Sequence, residues 1–324
     1  MTAVLKLPVI SLMGPTAIGK TDLAIRLYQA LKAQNIVIDI ISVDSAMVYR
    51  GLNIGSGKPE QEILANIPHG LVDIREPYDV FSVADFCQQA LELIKISHDN
   101  NRVPLLVGGT IMYFNALQHG LAKLPSCDPL IRKTLEEQIN HNGLNSLYSN
   151  LQEIDNKSAQ KINPNDKQRI VRALEVYLTT GKPLSELLLN NTVNTFTGLN
   201  NINIMVAPDD RSWLHNNIAT RFHQMLDNGF IAEVESLLAN SKITDDLPAI
   251  KACGYKQVWQ YLLGETDRET MIERSIIATR QLAKRQLTWL RSCLQKWDNV
   301  TWLNAIDDCL VSKISTKIIK ILNF

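Results

Sequence analysis

Val9-Ile10-Ser11-Leu12-Met13 runs straight into Gly14-Pro15-Thr16-Ala17-Ile18-Gly19-Lys20-Thr21, and Leu23, Leu27 and Leu31 follow at helical spacing. A mostly apolar run, a glycine-rich turn and an amphipathic pattern read as strand, loop and helix. In that setting Gly-x-x-x-x-Gly-Lys-Thr is a phosphate-binding loop. Its glycines let backbone N–H groups turn inward around phosphate oxygens, and the helix N-terminus adds partial positive charge. Lys20 is placed to bridge terminal phosphate oxygens, and the Thr21 hydroxyl to ligate a metal ion such as Mg²⁺. The loop says phosphate without saying which phosphate.

Ile36 to Val43 is a second apolar run and ends at Asp44. Val103 to Val107 ends at Gly108-Gly109-Thr110, and Ile202 to Val206 has the look of a fourth strand. Short apolar strands alternating with helices predict an α/β fold, a P-loop NTPase-like core whose central parallel sheet is flanked by helices. Ligands of such sheets bind beyond the carboxyl ends of the strands. Lys20, Asp44 and Thr110 all lie at such ends, which is the first sign of one site. Between Leu121 and Asn200 the strands stop. Pro125 to Pro129 opens a helical stretch in which Ile170, Leu174 and Leu178 mark one helix face, and Gly181-Lys182-Pro183 reads as its stop. The expected organisation is a catalytic core over 1–122 and 201–324, with an inserted all-helical domain over 123–200.

Across the 324 residues, 33 Lys and Arg balance 33 Asp and Glu. A neutral total leaves nucleic acid open wherever the basic residues cluster. They cluster near the C-terminus. There Ile276, Ala283, Leu287, Leu290 and Leu294 form an apolar strip, with Arg280, Lys284 and Arg291 along its edge. A buried strip edged by a basic ridge suits a helix that packs on a core and presents charge to an RNA backbone. Cys87, Cys127, Cys253, Cys293 and Cys309 are isolated and read as free thiols, and no His or Cys spacing suits zinc. No apolar stretch approaches the ~20 residues of a membrane span. Met1 to Pro8 lacks a signal-peptide core. A soluble, cytoplasmic, monomeric protein without a membrane partner is expected.

A P-loop kinase usually carries a second apolar strand ending in a metal-binding Asp. Here the Val103–Val107 run ends in Gly-Gly-Thr, and the Asp falls in Ser42-Val43-Asp44-Ser45. Asp44 is therefore open to two roles, metal-side carboxylate or general base. A small-molecule or nucleotide kinase that uses the insertion as a lid is the alternative reading. A non-catalytic binding module would leave Lys20, Asp44 and Thr110 without a joint purpose.

Several long segments then resemble one family. They are Gly14–Thr21; Asp44-Ser45-Ala46-Met47-Val48-Tyr49-Arg50; Ile54-Gly55-Ser56-Gly57-Lys58-Pro59; and Ser82-Val83-Ala84-Asp85-Phe86. Gly108-Gly109-Thr110-Ile111-Met112-Tyr113, Asn163-Pro164-Asn165-Asp166 and the run from Ala278 to Arg291 continue it in order. The chain resembles the bacterial tRNA dimethylallyltransferases over nearly its whole length. It departs from them at Ile111-Met112, where Gly-Leu is commoner, at Met47, where many have Gln, and at Asn163, where His is frequent.

The resemblance implies transfer of a dimethylallyl group from dimethylallyl diphosphate to N6 of adenosine 37, in tRNAs that read codons starting with U. It also implies Mg²⁺, and a helical insertion that helps clamp the anticodon stem-loop. Gly14, Pro15, Thr16, Ala17, Ile18, Gly19, Lys20 and Thr21 would then cradle the diphosphate, with Arg221 as an extra cation. Asp44 would be the general base. Thr110 would hydrogen-bond the adenine or the diphosphate. The tRNA-contacting candidates are Asp44, Ser45, Ala46 and Met47; Thr110; Arg132; and Gln168, Arg169, Ile170, Val171 and Arg172. Lys251, Ala252, Cys253, Gly254, Tyr255 and Lys256 join them, as do Arg280, Lys284, Arg285, Gln286, Leu287, Thr288, Trp289, Leu290 and Arg291.

Overall fold

The structure is a computed structural model that describes residues 7–126, 128–190 and 200–322. Cys127, the first six residues and part of the expected insertion lie outside them. The chain divides into two compact units, Met1–Ala116 with Gly198–Phe324, and Leu117–Thr197.

The first unit is built on one sheet. Its strands are β1 (Val9–Met13), β2 (Ile38–Val43), β3 (His69–Gly70), β4 (Val103–Gly108), β5 (Asn201–Ala207) and β6 (Val300–Asn304), in the order β3-β2-β4-β1-β5-β6. Every pairing is parallel. β1 and β4 are buried at every residue. Parallel sheets are covered on both faces, so their inner strands are continuous apolar runs. That is why four strands could be read from composition. β3 has only two residues, and β6 is a half-buried edge strand, so neither carries such a run.

The helices of this unit are α1 (Lys20–Lys32), α2 (Gln61–Asn66), α3 (Val83–Asp99) and α4 (Ile111–His119), the last running on into the second unit. The second unit contributes α5 (Pro129–Asn142), α6 (Leu144–Ile154), α7 (Asn156–Ala159), α8 (Lys167–Thr180) and α9 (Leu184–Asn190). After β5 come α10 (Arg211–Asp227), α11 (Phe230–Leu238), α12 (Tyr255–Leu262) and α13 (Arg268–Lys296), and α14 (Leu310–Leu322) follows β6. No described helix is long and apolar enough to cross a membrane. Leu23, Leu27 and Leu31 of α1 pack under the sheet with Ile10, Leu12, Leu105 and Ile204, and α14 closes the same core through Ile314 and Ile318.

Two apolar positions read as helix-face residues turn out to be exposed. Leu178 on α8 is 55% exposed and Leu294 on α13 is 41% exposed. Residues four apart advance ~40° around a helix, so Leu178 has swung ~80° from Ile170 and leaves the buried face. On α13 the buried line ends at Cys293 instead.

The helical unit has its own core, formed by Leu135, Leu147, Leu151, Ile170, Val171 and Leu174. Asp128 caps α5 and Asp166 caps α8, accepting from Ile131 and Leu130 N–H and from Arg169 N–H respectively. At its centre Glu175 is fully buried. Its carboxylate accepts from Arg172 Nη1 at 2.9 Å and from the Asp128 N–H at 3.0 Å, with Arg132 Nη2 at 3.7 Å. Arg172 also donates to the Pro125 carbonyl at 2.6 Å, which ties the segment before α5 to α8. A buried carboxylate held this way is costly to break. Glu175→Ala is expected to destabilise this unit by about 3 kcal/mol, the low end for a broken buried pair because Arg172 keeps some access to water. Chemical denaturation followed through the helical signal measures it.

Candidate active site at the carboxyl edge of the sheet

Strand register builds the site. Met13 at the end of β1 lies opposite both Gly108 on β4 and Met205 on β5, and Gly108 lies opposite Val43 on β2. The residues that follow, Gly14, Asp44 and Gly109-Thr110, therefore leave the sheet along one row. At Gly14 a Cβ would come within 2.4 Å of the Val206 carbonyl oxygen, so only glycine lets the chain turn there. The loop then passes Ala17 at φ 64° and reaches α1 through Gly19 at φ 78°.

Lys20, the first residue of α1, donates from Nζ to the Pro15 carbonyl at 2.7 Å, folding its side chain back over the loop. Burial lowers its pKa to about 8; the Asp44 charge pulls it back up and the Arg221 charge pushes it further down. Arg221 reaches the loop from α10, with Nη1 3.4 Å from Thr16 Oγ1. Its guanidinium occupies the space beside Gly57, where a Cβ would lie 2.0 Å from Nη2. Burial lowers the pKa of Arg221 as well, again opposed by Asp44. Lys20, Arg221 and Asp44 thus feel one another's charge.

Asp44 sits just past β2, half-buried, and its Oδ1 accepts the N–H groups of Ala46 at 2.8 Å and Met47 at 3.2 Å. The turn that follows is fixed by the same carboxylate. Thr110 is half-buried, and its N–H donates to the Val43 carbonyl at 3.3 Å. The hydroxyl of Thr21 and the carboxylate of Asp44 are oxygen donors of the kind a hard divalent cation takes when substrate phosphate and water complete its shell. Among the described residues no cluster of three His, Cys, Asp or Glu could hold a metal by protein ligands alone.

The segments around the row are braced by groups remote in sequence. Ser82 and Asp85 form a capping box at the start of α3, and Phe86 stacks on Tyr113 at 4.5 Å. Glu233 on α11 accepts the N–H groups of Asn53, Ile54 and Gly55 at 3.1, 2.7 and 3.2 Å, and the Tyr255 hydroxyl at 2.6 Å. Sequence reasoning did not single out Glu233, and nothing local marks it, since its partners on the Asn53–Gly55 turn lie some 180 residues away. The braced turn and Arg221 border a cavity of about 420 Å³, lined also by Lys58, Gln224 and Met225.

The candidate RNA contacts separate into three kinds. Ser45, Gln168, Arg169, Lys251, Lys256, Lys284, Arg285, Thr288, Trp289 and Arg291 are exposed. Ile170, Val171, Gly254, Tyr255, Leu287 and Leu290 are buried and act as packing or bracing groups. Ala46, Met47, Arg132, Arg172, Ala252, Cys253, Arg280 and Gln286 are half-buried. Arg132 and Arg172 belong to the Glu175 cluster. Gln286 faces the phosphate loop, where its Oε1 accepts the Thr16 N–H at 2.9 Å and its Nε2 donates to the Gly109 carbonyl at 2.9 Å.

Residues 47–293 match the family model described as IPP transferase. The chain belongs to the IPP transferase family. It is 49% identical over 94% of its length to a protein of Coxiella burnetii named tRNA dimethylallyltransferase, covering 95% of that protein. It is 47% identical to one of Hahella chejuensis named tRNA dimethylallyltransferase 2, covering 94% of this chain and 92% of the relative. Among solved structures, a full-length tRNA isopentenylpyrophosphate transferase from Bacillus halodurans superposes with a TM-score of 0.67 at 35% identity, covering 97% of this chain and 96% of the other. Membership of the IPP transferase family does not favour the kinase reading of the phosphate loop.

For an IPP transferase, the charge on Lys20 sets a testable pH window. Its folded pKa, about 8, is below the ordinary 10.5 of an unfolded lysine. The unfolded chain therefore holds more protons between those values, and stability rises with pH across them. Affinity for inorganic pyrophosphate moves the other way, falling as the ammonium is lost above pH 8, with no such fall in Lys20→Met. Calorimetric titration and denaturation midpoints across pH 7 to 10 check both signs.

Proposed function

We propose that this chain transfers a dimethylallyl group from dimethylallyl diphosphate to N6 of adenosine 37, beside the anticodon, in tRNAs that read codons starting with U. The observation that carries this reading is the composition of the row. Two half-buried cations and a phosphate loop lie with a carboxylate at the end of β2, while β4 runs into Gly-Gly-Thr where a kinase would place its metal-binding Asp. The row holds a phosphate group that is there to leave. The names carried by the Coxiella and Hahella relatives support the same activity.

In the reaction the bond between the allylic carbon and the diphosphate oxygen breaks, and the adenine N6 forms a bond to that carbon. N6 loses one proton and the diphosphate departs. Lys20, Arg221 and the N–H groups of the loop stabilise the charge that builds on the leaving group. Asp44 takes the proton. Its backbone bonds to Ala46 and Met47 hold the carboxylate in place for that step. Thr110, on the neighbouring strand end, orients the adenine or the diphosphate. Mg²⁺ bound at Thr21 would add positive charge on the diphosphate.

The adenine must be out of the RNA stack to reach such a site. Unpaired loop bases stack on aromatic side chains, while basic side chains hold the phosphate backbone. The exposed face of α13 offers both, with Lys284, Arg285 and Arg291 for phosphates and Trp289, 42% exposed, for a base. Lys251 and Lys256 are further exposed cations of the same unit, and Gln168 and Arg169 are exposed on the helical unit. The protein works in the cytoplasm as a monomer.

Incubation with Mg²⁺, tRNA and labelled dimethylallyl diphosphate, with labelled ATP in parallel, decides the reading. Label passes to tRNA from the prenyl donor alone; phosphoryl transfer from ATP to an acceptor would sink it. Asp44→Asn slows transfer by about 10²–10⁴-fold with tRNA affinity nearly unchanged, and near wild-type turnover would remove Asp44 as the base. Lys284→Ala weakens tRNA binding and lowers the slope of log affinity against log salt by about 0.7–0.9. An unchanged slope would take Lys284 off the RNA surface.

A further inference from the structure

Gln286 makes two hydrogen bonds that cross most of the chain. Its partners are Thr16 N–H, 270 positions away, and the Gly109 carbonyl, 177 positions away. They lie on the loops after β1 and β4, the two strand ends that bring Gly14 and Thr110 into the row. The fit is close, since a Cβ on Gly109 would lie 2.6 Å from Gln286 Nε2. Thr16 is held from its other side by Arg221 through the hydroxyl. The loop is also packed, not only bonded, against these helices. Ala17 and Ile18 lie on a cluster made by Leu214 and Ile218 of α10 and Ala283 and Leu287 of α13.

Gln286 stands one turn or less from Lys284, Arg285 and Thr288, which are exposed on the same helix. One helix therefore presents charge outward and grips the diphosphate loop inward. A rigid helix passes a small rotation or stiffening at its outer face to every side chain it carries. At Gln286 the recipients are Thr16 and Gly109.

We propose that Gln286 is a positioning residue that couples RNA binding on α13 to the phosphate loop. The anticodon stem-loop then raises affinity for the diphosphate, and the diphosphate raises affinity for RNA by the same factor, as linkage requires. The assignment rests on the prenyl-transfer reading for the identity of the two ligands. Its physical content is the contact between an RNA-facing helix and an anion-binding loop.

The test titrates full-length protein with inorganic pyrophosphate, with and without an RNA hairpin of the anticodon stem-loop, and then in the reverse order. In the wild-type protein each ligand tightens the other by about fivefold or more. Gln286→Met keeps the length of the side chain and loses both hydrogen bonds. It brings the coupling to within twofold of none, while hairpin affinity without pyrophosphate changes less than twofold. Gln286→Glu keeps the acceptor for Thr16 and loses the donor to Gly109, so its coupling falls between the two. A general loss of packing would weaken both ligands together and would not remove their interdependence alone. Coupling retained in both variants, or absent from the wild type, overturns the proposal. Wild-type coupling lost in Gln286→Met, in a protein that moves no prenyl group to tRNA, would uphold the latch and overturn the activity instead.

Discussion

Where the chain leaves β1 there is no room for a side chain. A Cβ at Gly14 would run into the Val206 carbonyl on β5, and Gly14 N–H already donates to the Gly108 carbonyl on β4 at 3.3 Å. The turn is caught between the ends of its two neighbouring strands. From this confinement follows the direction in which the loop N–H groups point, the entry into α1 through Gly19, and the placing of Lys20 and Thr21 at the helix N-terminus. Parallel register then does the rest. With Met13, Gly108 and Val43 level across the sheet, Asp44 and Thr110 arrive beside the loop without any local signal directing them there.

The parts of this design that repeat a local physical rule could be read from sequence. Inner parallel strands are buried on both faces, so β1, β2, β4 and β5 appear as apolar runs, and the phosphate loop is dictated by its own glycines. β6 escaped because an edge strand that is half-buried has neither a continuous run nor a clean alternation. Side-chain roles were legible only as far as residue type carries. Arg132, Arg172 and Lys284 are all basic, yet two of the three are drawn onto Glu175 and one is exposed, and no spacing rule distinguishes them. Tyr255 and Gln286, named as RNA contacts, also bond Glu233 and the Thr16 N–H, partners fixed by tertiary packing.

That packing gives α10 and α13 a shared function in the core unit. Their common apolar cluster carries the underside of the phosphate loop, and each sends one polar side chain to Thr16, Arg221 to its hydroxyl and Gln286 to its N–H. The loop is less a free-standing motif than a strap drawn over two helices. The turn at Asn53–Gly57 completes the enclosure of Arg221, and it keeps its shape because a single carboxylate, Glu233, accepts three successive N–H groups. The half-buried guanidinium thus lies against a backbone that is held still.

The electrostatics of the row favour a departing anion over a resident one. Burial disfavours the charged forms of both Lys20 and Arg221, and each feels Asp44 as a counter-charge. A bound diphosphate relieves that cost, and it relieves more as negative charge gathers on the oxygen that loses its carbon. If Asp44 then accepts the proton from the adenine amine, the cations lose their protein partner while the diphosphate gains charge. Product diphosphate is thereby held more tightly than the ester from which it came. The same charges that lower the barrier to bond cleavage oppose release of the diphosphate.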